Sequence, residues 1–179
     1  MQELGAVVID SDELAKSVIE RGSLGFERVV AEFGDEILTA GEINRSRLAE
    51  LVFSNQELRH KLESIIHPLV REAAQQATRH LPNDAIVVNE IPLLFETQGG
   101  SRFDFVIAVQ AQEEIRVERL KQRGMKEYEI AKRIAAQASD AERASIAHAV
   151  LQNDGSIEDL NEQVKTLWFN EILPKAKSK

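Results

Sequence analysis

Cysteine is absent from the 179 residues of this sequence. Its absence excludes disulfide bonds, catalysis by a thiolate and zinc sites with cysteine ligands, and it suits the reducing cytoplasm. Long apolar runs are missing as well, since no stretch approaches the roughly 20 residues of a membrane-spanning helix. The first residues do not form a basic segment followed by a long apolar one. These absences predict a soluble, cytosolic protein.

The sequence is also poor in positive charge. Lysine and arginine number 22 against 30 aspartates and glutamates, which gives a formal net charge of −8. This balance argues against general binding of nucleic acid or of anionic membranes, and it leaves open a local basic pocket for a phosphorylated small molecule. With 43% hydrophobic and 29% charged residues, the composition is that of a globular protein, and the length fits one domain with an additional lobe.

Four short apolar runs predict β-strands. Apolar residues follow one another in these runs instead of alternating with polar ones, as in strands of a parallel sheet that is covered on both faces. Segments of helical periodicity lie between them, which indicates βαβ units and an α/β fold. The predicted strands are residues 6–9, 85–89, 103–109 and 148–153, and the predicted helices are residues 12–21, 25–34, 47–53, 55–80, 112–123, 126–138 and 157–172.

Two helical regions stand apart from the predicted sheet. Residues 34–80 are predicted to be all-helical and are too long for a simple crossover, so they are interpreted as an inserted lobe. Within the lobe, Pro68 disfavours helix at His67, which predicts an interruption there. Residues 112–138 predict a second helical pair that turns at Gly124. The sequence has no internal repeat, low-complexity tract or linker, so residues 1–179 are predicted to form a single domain.

Two acids, Asp10 and Asp12, directly follow the first predicted strand. Open α/β sheets bind ligands at the carboxyl ends of their strands, so both acids are expected at the ligand-binding edge. A carboxylate there can accept a hydroxyl proton or help to hold a metal ion bound to phosphates. For Asp10 alone, capping of the next helix is the favoured interpretation. For Asp12, just inside that helix, a functional and a local role are equally open.

The segment EIPLLFE follows the second predicted strand. Pro92 ends the strand's hydrogen bonding, and Leu93 and Leu94 then place bulky apolar groups at the same edge. They either pack beneath the helical lobe, which local physics favours, or form a wall for an apolar part of a substrate. His67, at the predicted helix junction, is in a position to meet a phosphate, although histidines at such junctions are more often structural.

Arginines concentrate after the third predicted strand. Arg119 and Arg123 are four residues apart and share a helix face, and Arg133 follows in the next helix. Guanidinium groups suit phosphate oxygens, but nearby glutamates make a solvated, salt-bridged helix pair the alternative explanation. Arg143 precedes the last predicted strand, and the segment QNDGS after that strand predicts a turn whose backbone can cradle a purine ring.

Seven segments, taken in order, resemble those of one enzyme family. They are VIDSDELA, GEINRSRLAELVF, LESIIHPLV, EIPLLFE, RLKQRGM, RIAAQ and NDGSIEDL, and the resemblance extends over nearly the whole chain. Each segment is a weak signal, but their order and spacing are specific. The sequence is similar to the dephospho-coenzyme A kinases, which are P-loop phosphotransferases of the nucleoside-monophosphate-kinase type. The resemblance implies transfer of the γ-phosphoryl group of ATP, with Mg²⁺, to the ribose 3′-hydroxyl of dephospho-CoA, the last step of coenzyme A synthesis.

The resemblance also implies a fold and a set of functional residues. The fold is a three-layer α/β/α parallel sheet with a CoA-binding helical lobe at residues 34–80 and a lid at residues 112–138. Asp12 is implied to be the general base near the 3′-hydroxyl, and Arg143 to face the transferring phosphoryl group. The residues implied to contact dephospho-CoA, phosphates or metal are Asp10, His67, Pro92, Leu93 and Leu94, and those implied for ATP and the lid are Arg123, Arg133, Asn153, Asp154 and Gly155.

One part of the family pattern is not found in the 179 residues. Members of the family carry a strand, a G-x-x-x-x-G-K-[ST] loop (the P-loop) and a helix ahead of the strand with the two aspartates, and no such motif occurs here. The phosphate cradle, its lysine and the Ser/Thr ligand of Mg²⁺ are therefore missing, and no metal ligand is assigned. Because the first strand is central in this fold, its absence predicts unpaired backbone groups in the sheet. His148 is a smaller departure, at a position where the family usually has an acid.

Three explanations of this pattern compete. The favoured one is a truncated or mis-started form of a working kinase, short of about two dozen residues, because Asp12 and Arg143 are intact. The second is a non-catalytic paralogue that binds CoA or a similar nucleotide. The third is an interaction protein with a helical lobe on an α/β frame, and the polar groups at the strand ends speak against it.

Overall fold

The computed structural model of the chain describes residues 1–53 and 55–177, which form two compact units. The unit that we call the acid unit is Val7–Ile91, because it contains Asp10 and Asp12. The other, which we call the arginine unit, combines Met1–Ala6 with the described part of Pro92–Lys179. Each unit has its own pair of parallel strands. The assignment of residues 1–179 to one domain, with a lobe at 34–80 and a lid at 112–138, stays a prediction.

The acid unit combines a parallel strand pair with helices. Its first and last strands pair in parallel, with Val7 opposite Val87 and Asp10 opposite Glu90. In chain order its elements are β1 (Val7–Asp10), α1 (Ser11–Ser17), α2 (Leu24–Phe33), a 3₁₀ turn (Asp35–Ile37), β2 (Leu38–Thr39), β3 (Glu42–Ile43), α3 (Arg45–Phe53), α4 (Gln56–Thr78) and β4 (Val87–Glu90). Strands β1 and β4 each lie within one or two residues of the predicted ones.

The core of the acid unit is built by its helices. Val29 and Phe33 lie four residues apart on one face of α2, and both are buried. Helix α4 packs against α1, α2 and α3, and it contributes a row of partly buried apolar side chains to the same cluster. Helix α4, which carries His67, is therefore held in this apolar core, and Val18 and Ile19, directly after α1, belong to the same cluster.

The predicted interruption of the lobe at His67-Pro68 is wrong. Helix α4 runs without a break from Gln56 to Thr78 and contains Pro68. Proline has no N–H to donate, so the carbonyl of Ser64 loses its partner within the helix. Packing of α4 against three other helices offsets this loss, and local preference is overridden by tertiary contacts.

The prediction of an all-helical segment at residues 34–80 is also wrong, because residues 38–43 form a small hairpin. Strands β2 and β3 are antiparallel, with Leu38 opposite Ile43 and Thr39 opposite Glu42. Between them Ala40 and Gly41 have φ angles of 53° and 79°. Positive φ at both central residues defines a type I′ turn, the tight connection that matches the twist of paired strands. Two-residue strands are too short to give a periodic signal.

The arginine unit has the second parallel strand pair, with Ile107 opposite Ala149 and Gln110 opposite Gln152. Its elements in chain order are a 3₁₀ turn (Gln2–Leu4), a second 3₁₀ turn (Gly100–Arg102), β5 (Ile107–Gln110), α5 (Glu113–Gln122), α6 (Glu127–Ala136), α7 (Asp140–Ser145), β6 (Ala149–Gln152), α8 (Ile157–Leu167), a π-helical turn (Trp168–Ile172) and α9 (Leu173–Lys177). Strand β5 begins later than predicted, and α7 was not predicted.

The outer edge of β6 is covered by a glutamine side chain. The Gln152 N–H donates to Oε1 of Gln163 at 2.9 Å, and Nε2 of Gln163 donates back to the Gln152 carbonyl at 2.8 Å. The amide of Gln163, on α8, thus takes the place of a neighbouring strand at this position. Such cover protects a sheet edge from pairing with another chain.

The structure also explains His148, which the sequence left without an account. Its Nδ1 accepts a hydrogen bond from the Val106 N–H at 3.0 Å, and its ring stacks on that of Phe105 with centroids 5.2 Å apart. The imidazole therefore fixes the start of the β5–β6 pair.

In the part of the chain that the structure describes, no helix is long and apolar enough to cross a membrane.

Candidate functional site

In the acid unit, the two acids have different surroundings. Asp10 ends β1 and caps α1, because its Oδ1 accepts hydrogen bonds from the N–H groups of Asp12 at 2.8 Å and Glu13 at 3.1 Å. Asp12 lies in the first turn of α1, exposed, and its carboxylate has no hydrogen-bond partner among residues 1–53 and 55–177. The capping interpretation of Asp10 is confirmed, whereas Asp12 has no local task.

The cap predicts a specific response of stability to substitution at position 10. Asp10→Ala is expected to lower the free energy of unfolding by about 1 kcal/mol, because two N–H groups lose their acceptor. Asp10→Asn is expected to change it by no more than about 0.3 kcal/mol, since asparagine caps equally well. Urea unfolding followed by circular dichroism measures both. Equal losses in the two variants would contradict the capping role.

A contact that the sequence did not reveal joins the ends of β1 and β4. The Ser11 hydroxyl donates to Oδ1 of Asn89 at 2.7 Å, across 78 residues of chain. This bond orients the Asn89 amide group and connects the first residue of α1 to the end of β4. Pairings over such separations leave no local signal in a single sequence.

His67 lies exposed on α4. Helix α4 packs against α1, so the elements that carry His67 and Asp12 are neighbours in the acid unit. The predicted contact of His67 with dephospho-CoA stays a prediction.

In the arginine unit, Pro92, Leu93 and Leu94 begin a turn. The carbonyl of Leu93 accepts from the N–H of Thr97 at 3.1 Å, and that of Leu94 accepts from the N–H of Gly99 at 3.0 Å. The Leu93 side chain is 45% exposed. Its exposure leaves this apolar group available to a ligand, and its role stays a prediction.

The two predicted lid arginines are exposed and lie on neighbouring helices. Arg123 follows the last turn of α5, and Arg133 is in the last turn of α6. Helix α5 packs against α6, and Lys121 pairs with Glu127 at 2.6 Å across the turn between them. The hydrogen bond with Glu127 and the negative charge of that carboxylate raise the pKa of Lys121. The pair is exposed and so stabilises the turn little.

Beyond the lid, polar side chains gather at the carboxyl ends of β5 and β6. Arg143, on α7, pairs through Nη2 with Oδ1 of Asp140 and donates through Nη1 to the carbonyl of Ala138 at 2.5 Å. Nη1 of Arg116 contacts the same Oδ1 at 3.2 Å. The sequence analysis missed both Arg116 and Asp140. The spacing of Ser139 and Glu142, a capping box, was the local signal for α7.

The loop after β6 is held by neighbouring backbone and side chains. The carbonyl of Asn153 accepts from Nη1 of Arg119 at 2.8 Å, and Oδ1 of Asp154 accepts from the N–H of Gln112 at 2.7 Å. A Cβ added to Gly155 would lie 2.6 Å from a carboxylate oxygen of Asp159, so this position favours glycine. Arg119 therefore positions the loop predicted to meet adenine, which sequence spacing alone did not indicate.

Carboxylates also cap the helices on either side of β6. In α7, hydrogen bonds from the Ser139 side chain and then from its N–H lower the pKa of Glu142. In α8, bonds from the N–H and then the hydroxyl of Ser156 lower the pKa of Asp159. These caps fix the helix starts next to Arg143 and Gly155.

In residues 1–53 and 55–177, no group of three or more His, Asp or Glu side chains is arranged to hold a metal ion.

Solved structures share this fold. A Thermus thermophilus protein, TT1252, matches with a TM-score of 0.82 and 33% identity, over 95% of this chain and 87% of that one. A dephospho-CoA kinase from Campylobacter jejuni matches with a TM-score of 0.69 and 25% identity, over 97% and 88% of the two chains. The fold, with polar groups at the carboxyl ends of parallel strands, defines an α/β phosphotransferase of the P-loop-kinase type.

Sequence comparison narrows the class to one family. The family model described as dephospho-CoA kinase matches residues 1–159. The dephospho-CoA kinase of Frankia casuarinae is 37% identical over 165 residues, which cover 92% of this chain and 72% of that protein. The dephospho-CoA kinase of Mycobacterium bovis is 40% identical over 174 residues, 96% of this chain but 43% of that protein. The chain belongs to the dephospho-CoA kinase family.

These matches confirm the predicted family, its fold and its class, an ATP-dependent transferase. They also confirm dephospho-CoA phosphorylation, the final step of coenzyme A synthesis, as the family's function. The family model and the relatives that carry the name dephospho-CoA kinase give no support to the alternative of a binding paralogue.

Proposed function

We propose that this chain takes part in transferring the γ-phosphoryl group of ATP to the 3′-hydroxyl of dephospho-CoA, with Asp12 as general base. The observation that carries the proposal is the exposed carboxylate of Asp12, just beyond the carboxyl end of a parallel strand, which has no hydrogen-bond partner among the described residues. Ligands of open α/β sheets bind at this edge. Asp10 caps the same helix turn and so fixes the backbone from which the Asp12 side chain extends.

In the proposed reaction each side chain has a limited task. Asp12 orients the acceptor hydroxyl and takes its proton as the new oxygen–phosphorus bond forms, while the bond from the γ-phosphorus to the β–γ bridging oxygen breaks and ADP leaves. Arg143 stabilises the negative charge that spreads over the equatorial oxygens of the transferring group. Phosphoryl transfer depends mainly on such positioning and neutralisation.

The proposed donor is ATP with Mg²⁺, which would offset the charge of the phosphates. Magnesium is commonly held by one or two carboxylates together with substrate phosphates. Asp10 fits that limited part, because its Oδ1 is engaged in the cap of α1 while its second carboxylate oxygen takes no part in the cap.

The remaining predicted residues are assigned to the two substrates. His67, Pro92, Leu93 and Leu94 are proposed to contact dephospho-CoA. Arg123 and Arg133 are proposed to cover the phosphates, and the loop Asn153, Asp154 and Gly155 to contact the adenine of ATP. A cytoplasmic location is proposed, since ATP is available there and the chain has no cysteine.

The test uses the 179-residue chain, which lacks the G-x-x-x-x-G-K-[ST] motif. Titration calorimetry is expected to show binding of dephospho-CoA. Turnover with Mg·ATP is expected to be at least about 1,000-fold below that of a family member with the motif, because phosphate-neutralising groups contribute factors of this size. Failure to bind dephospho-CoA would contradict the proposal. Robust turnover would instead show that another segment supplies the phosphate cradle.

A further inference from the structure

In the arginine unit, a single carboxylate holds two guanidinium groups. Oδ1 of Asp140 contacts Nη1 of Arg116 at 3.2 Å and pairs with Nη2 of Arg143. Arg116 comes from α5 and the other two residues from α7. The side chains of Arg116, Asp140 and Arg143 are 30%, 39% and 22% exposed. Because all three are partly buried, their charges act on one another with less screening than charges on an open surface.

Asp140 is anchored independently of the arginines. Its carbonyl accepts a hydrogen bond from Nε2 of Gln110, the last residue of β5, at 2.7 Å. Ser139 caps the helix that Asp140 begins. The backbone of Asp140 is therefore tied to the carboxyl end of the strand pair independently of the ion pairs that its carboxylate makes.

The two arginines retain capacity for another acceptor. A guanidinium group has five N–H donors, and Arg143 directs one nitrogen to Asp140 and another to the carbonyl of Ala138. Nε of Arg116 is buried and has no hydrogen-bond partner in the part of the chain that the structure describes. That nitrogen is out of reach of a ligand, but the terminal N–H groups that these contacts leave over belong to partly exposed side chains, so the pair is suited to an additional oxygen ligand.

We propose that Asp140 is an internal counter-ion that sets the phosphate affinity of Arg116 and Arg143. In the free chain, it balances one of their two positive charges and occupies donors on both guanidinium groups. An anionic phosphate chain that binds this pair must compete with Asp140 for those donors and is repelled by its charge. The inference rests on the proposed function only for the identity of the anion, the phosphate chain of ATP.

The first experiment removes the charge of Asp140 and keeps its shape. Asp140→Asn in the 179-residue chain is expected to bind inorganic tripolyphosphate about fivefold more tightly, by calorimetry at low ionic strength, because a nearby negative charge is removed. Glu114→Gln is the matched control. Glu114 is an exposed acid on α5, the helix of Arg116. In the part of the chain that the structure describes it forms no ion pair with Arg116 or Arg143, so its loss removes the same charge without releasing their donors. Its affinity is expected to stay within about 1.5-fold of the parent.

A double-mutant cycle tests whether the gain acts through Arg143. In an Arg143→Gln background, Asp140→Asn is expected to give no more than about half of its gain, because the donors it would release are absent. Unchanged or weaker affinity of Asp140→Asn would overturn the proposal, and so would a full gain without Arg143. Absence of tripolyphosphate binding in both the parent and Asp140→Asn would overturn it too, because the arginine pair would then not take phosphate.

Two further measurements keep the outcome interpretable. Circular dichroism checks that Asp140→Asn is folded, and Asp140→Ser, which also removes the charge, is the second variant if it is not. Dephospho-CoA binding is measured separately on the parent chain. If the parent chain does not bind dephospho-CoA but Asp140→Asn binds tripolyphosphate more tightly than the parent, the proposed function is rejected and the counter-ion role is kept. If the parent chain binds dephospho-CoA but Asp140→Asn binds tripolyphosphate no more tightly than the parent, only the counter-ion role is rejected.

Discussion

Replacement of Asp12 by asparagine is expected to lower phosphoryl transfer to dephospho-CoA by about 100- to 10,000-fold, the usual contribution of a general base. Asparagine keeps the size of the side chain and can still orient a hydroxyl group, but it cannot take the proton. ATP affinity is expected to stay within about twofold, because a general base acts in the transition state and does not contribute to the binding of ATP. The effect should therefore fall on kcat.

The assay needs a form of the chain with a phosphate cradle. Joining the strand, G-x-x-x-x-G-K-[ST] loop and helix of a P-loop dephospho-CoA kinase ahead of Met1 supplies one. Glu13→Gln is the matched control, because Glu13 is the neighbouring exposed carboxylate of α1. Among the residues that the structure describes, its side chain pairs only with Lys16, at the surface. Turnover by Asp12→Asn equal to that of Glu13→Gln would remove Asp12 from the reaction. A loss confined to KM would make it a binding residue instead.

The placement of Asp10 and Asp12 was accessible from sequence because it depends on local chemistry. A short run of apolar residues predicts a parallel strand, an acid three residues before Glu13 predicts a helix start, and the two rules agree on the same position. The capping role of Asp10 follows from the same reasoning. Strand ends and helix caps are local features, so a single sequence suffices to predict them.

In α4 and in the hairpin at residues 38–43, the structure differs from what local sequence rules predict. Pro68 is an unfavourable residue inside a helix, yet α4 continues through it because its apolar face packs against three other helices. The hairpin at residues 38–43 depends on two positive φ angles and on strands of two residues, which no periodicity reveals.

The polar contacts of the candidate site were equally hidden. Neither Arg116 nor Asp140 was among the residues predicted from the sequence, and helix α7, which Asp140 begins, was not predicted either. Their meeting at Arg143 joins α5 to α7 and requires the β5–β6 pairing to be known first. Sequence motifs therefore predicted the residues expected to touch substrates, whereas the residues that hold them in place became visible only in the fold.

Gly25→Ala is expected to destabilise the acid unit by about 3 kcal/mol, near the upper end for an overpacked site. A Cβ at this position would lie 2.1 Å from the carbonyl oxygen of Val18 and 2.9 Å from Cδ1 of Leu69. The hydroxyl of Ser23 donates to the same Val18 carbonyl at 2.7 Å, so that backbone cannot move away without losing a bond. Glycine is thus required where α2 starts against the chain that follows α1.

Gly22→Ala separates this steric cause from backbone strain. Gly22 has a φ of +89°, but a Cβ there would meet nothing within 4 Å. Its substitution is expected to cost about 1–2 kcal/mol, the penalty of a left-handed conformation alone. Urea unfolding monitored by circular dichroism compares the two variants with the parent chain. A loss for Gly25→Ala no larger than that for Gly22→Ala would mean that α2 can shift away from Val18. The packing that holds α1, and with it Asp12, would then be looser than the close approach at Gly25 requires.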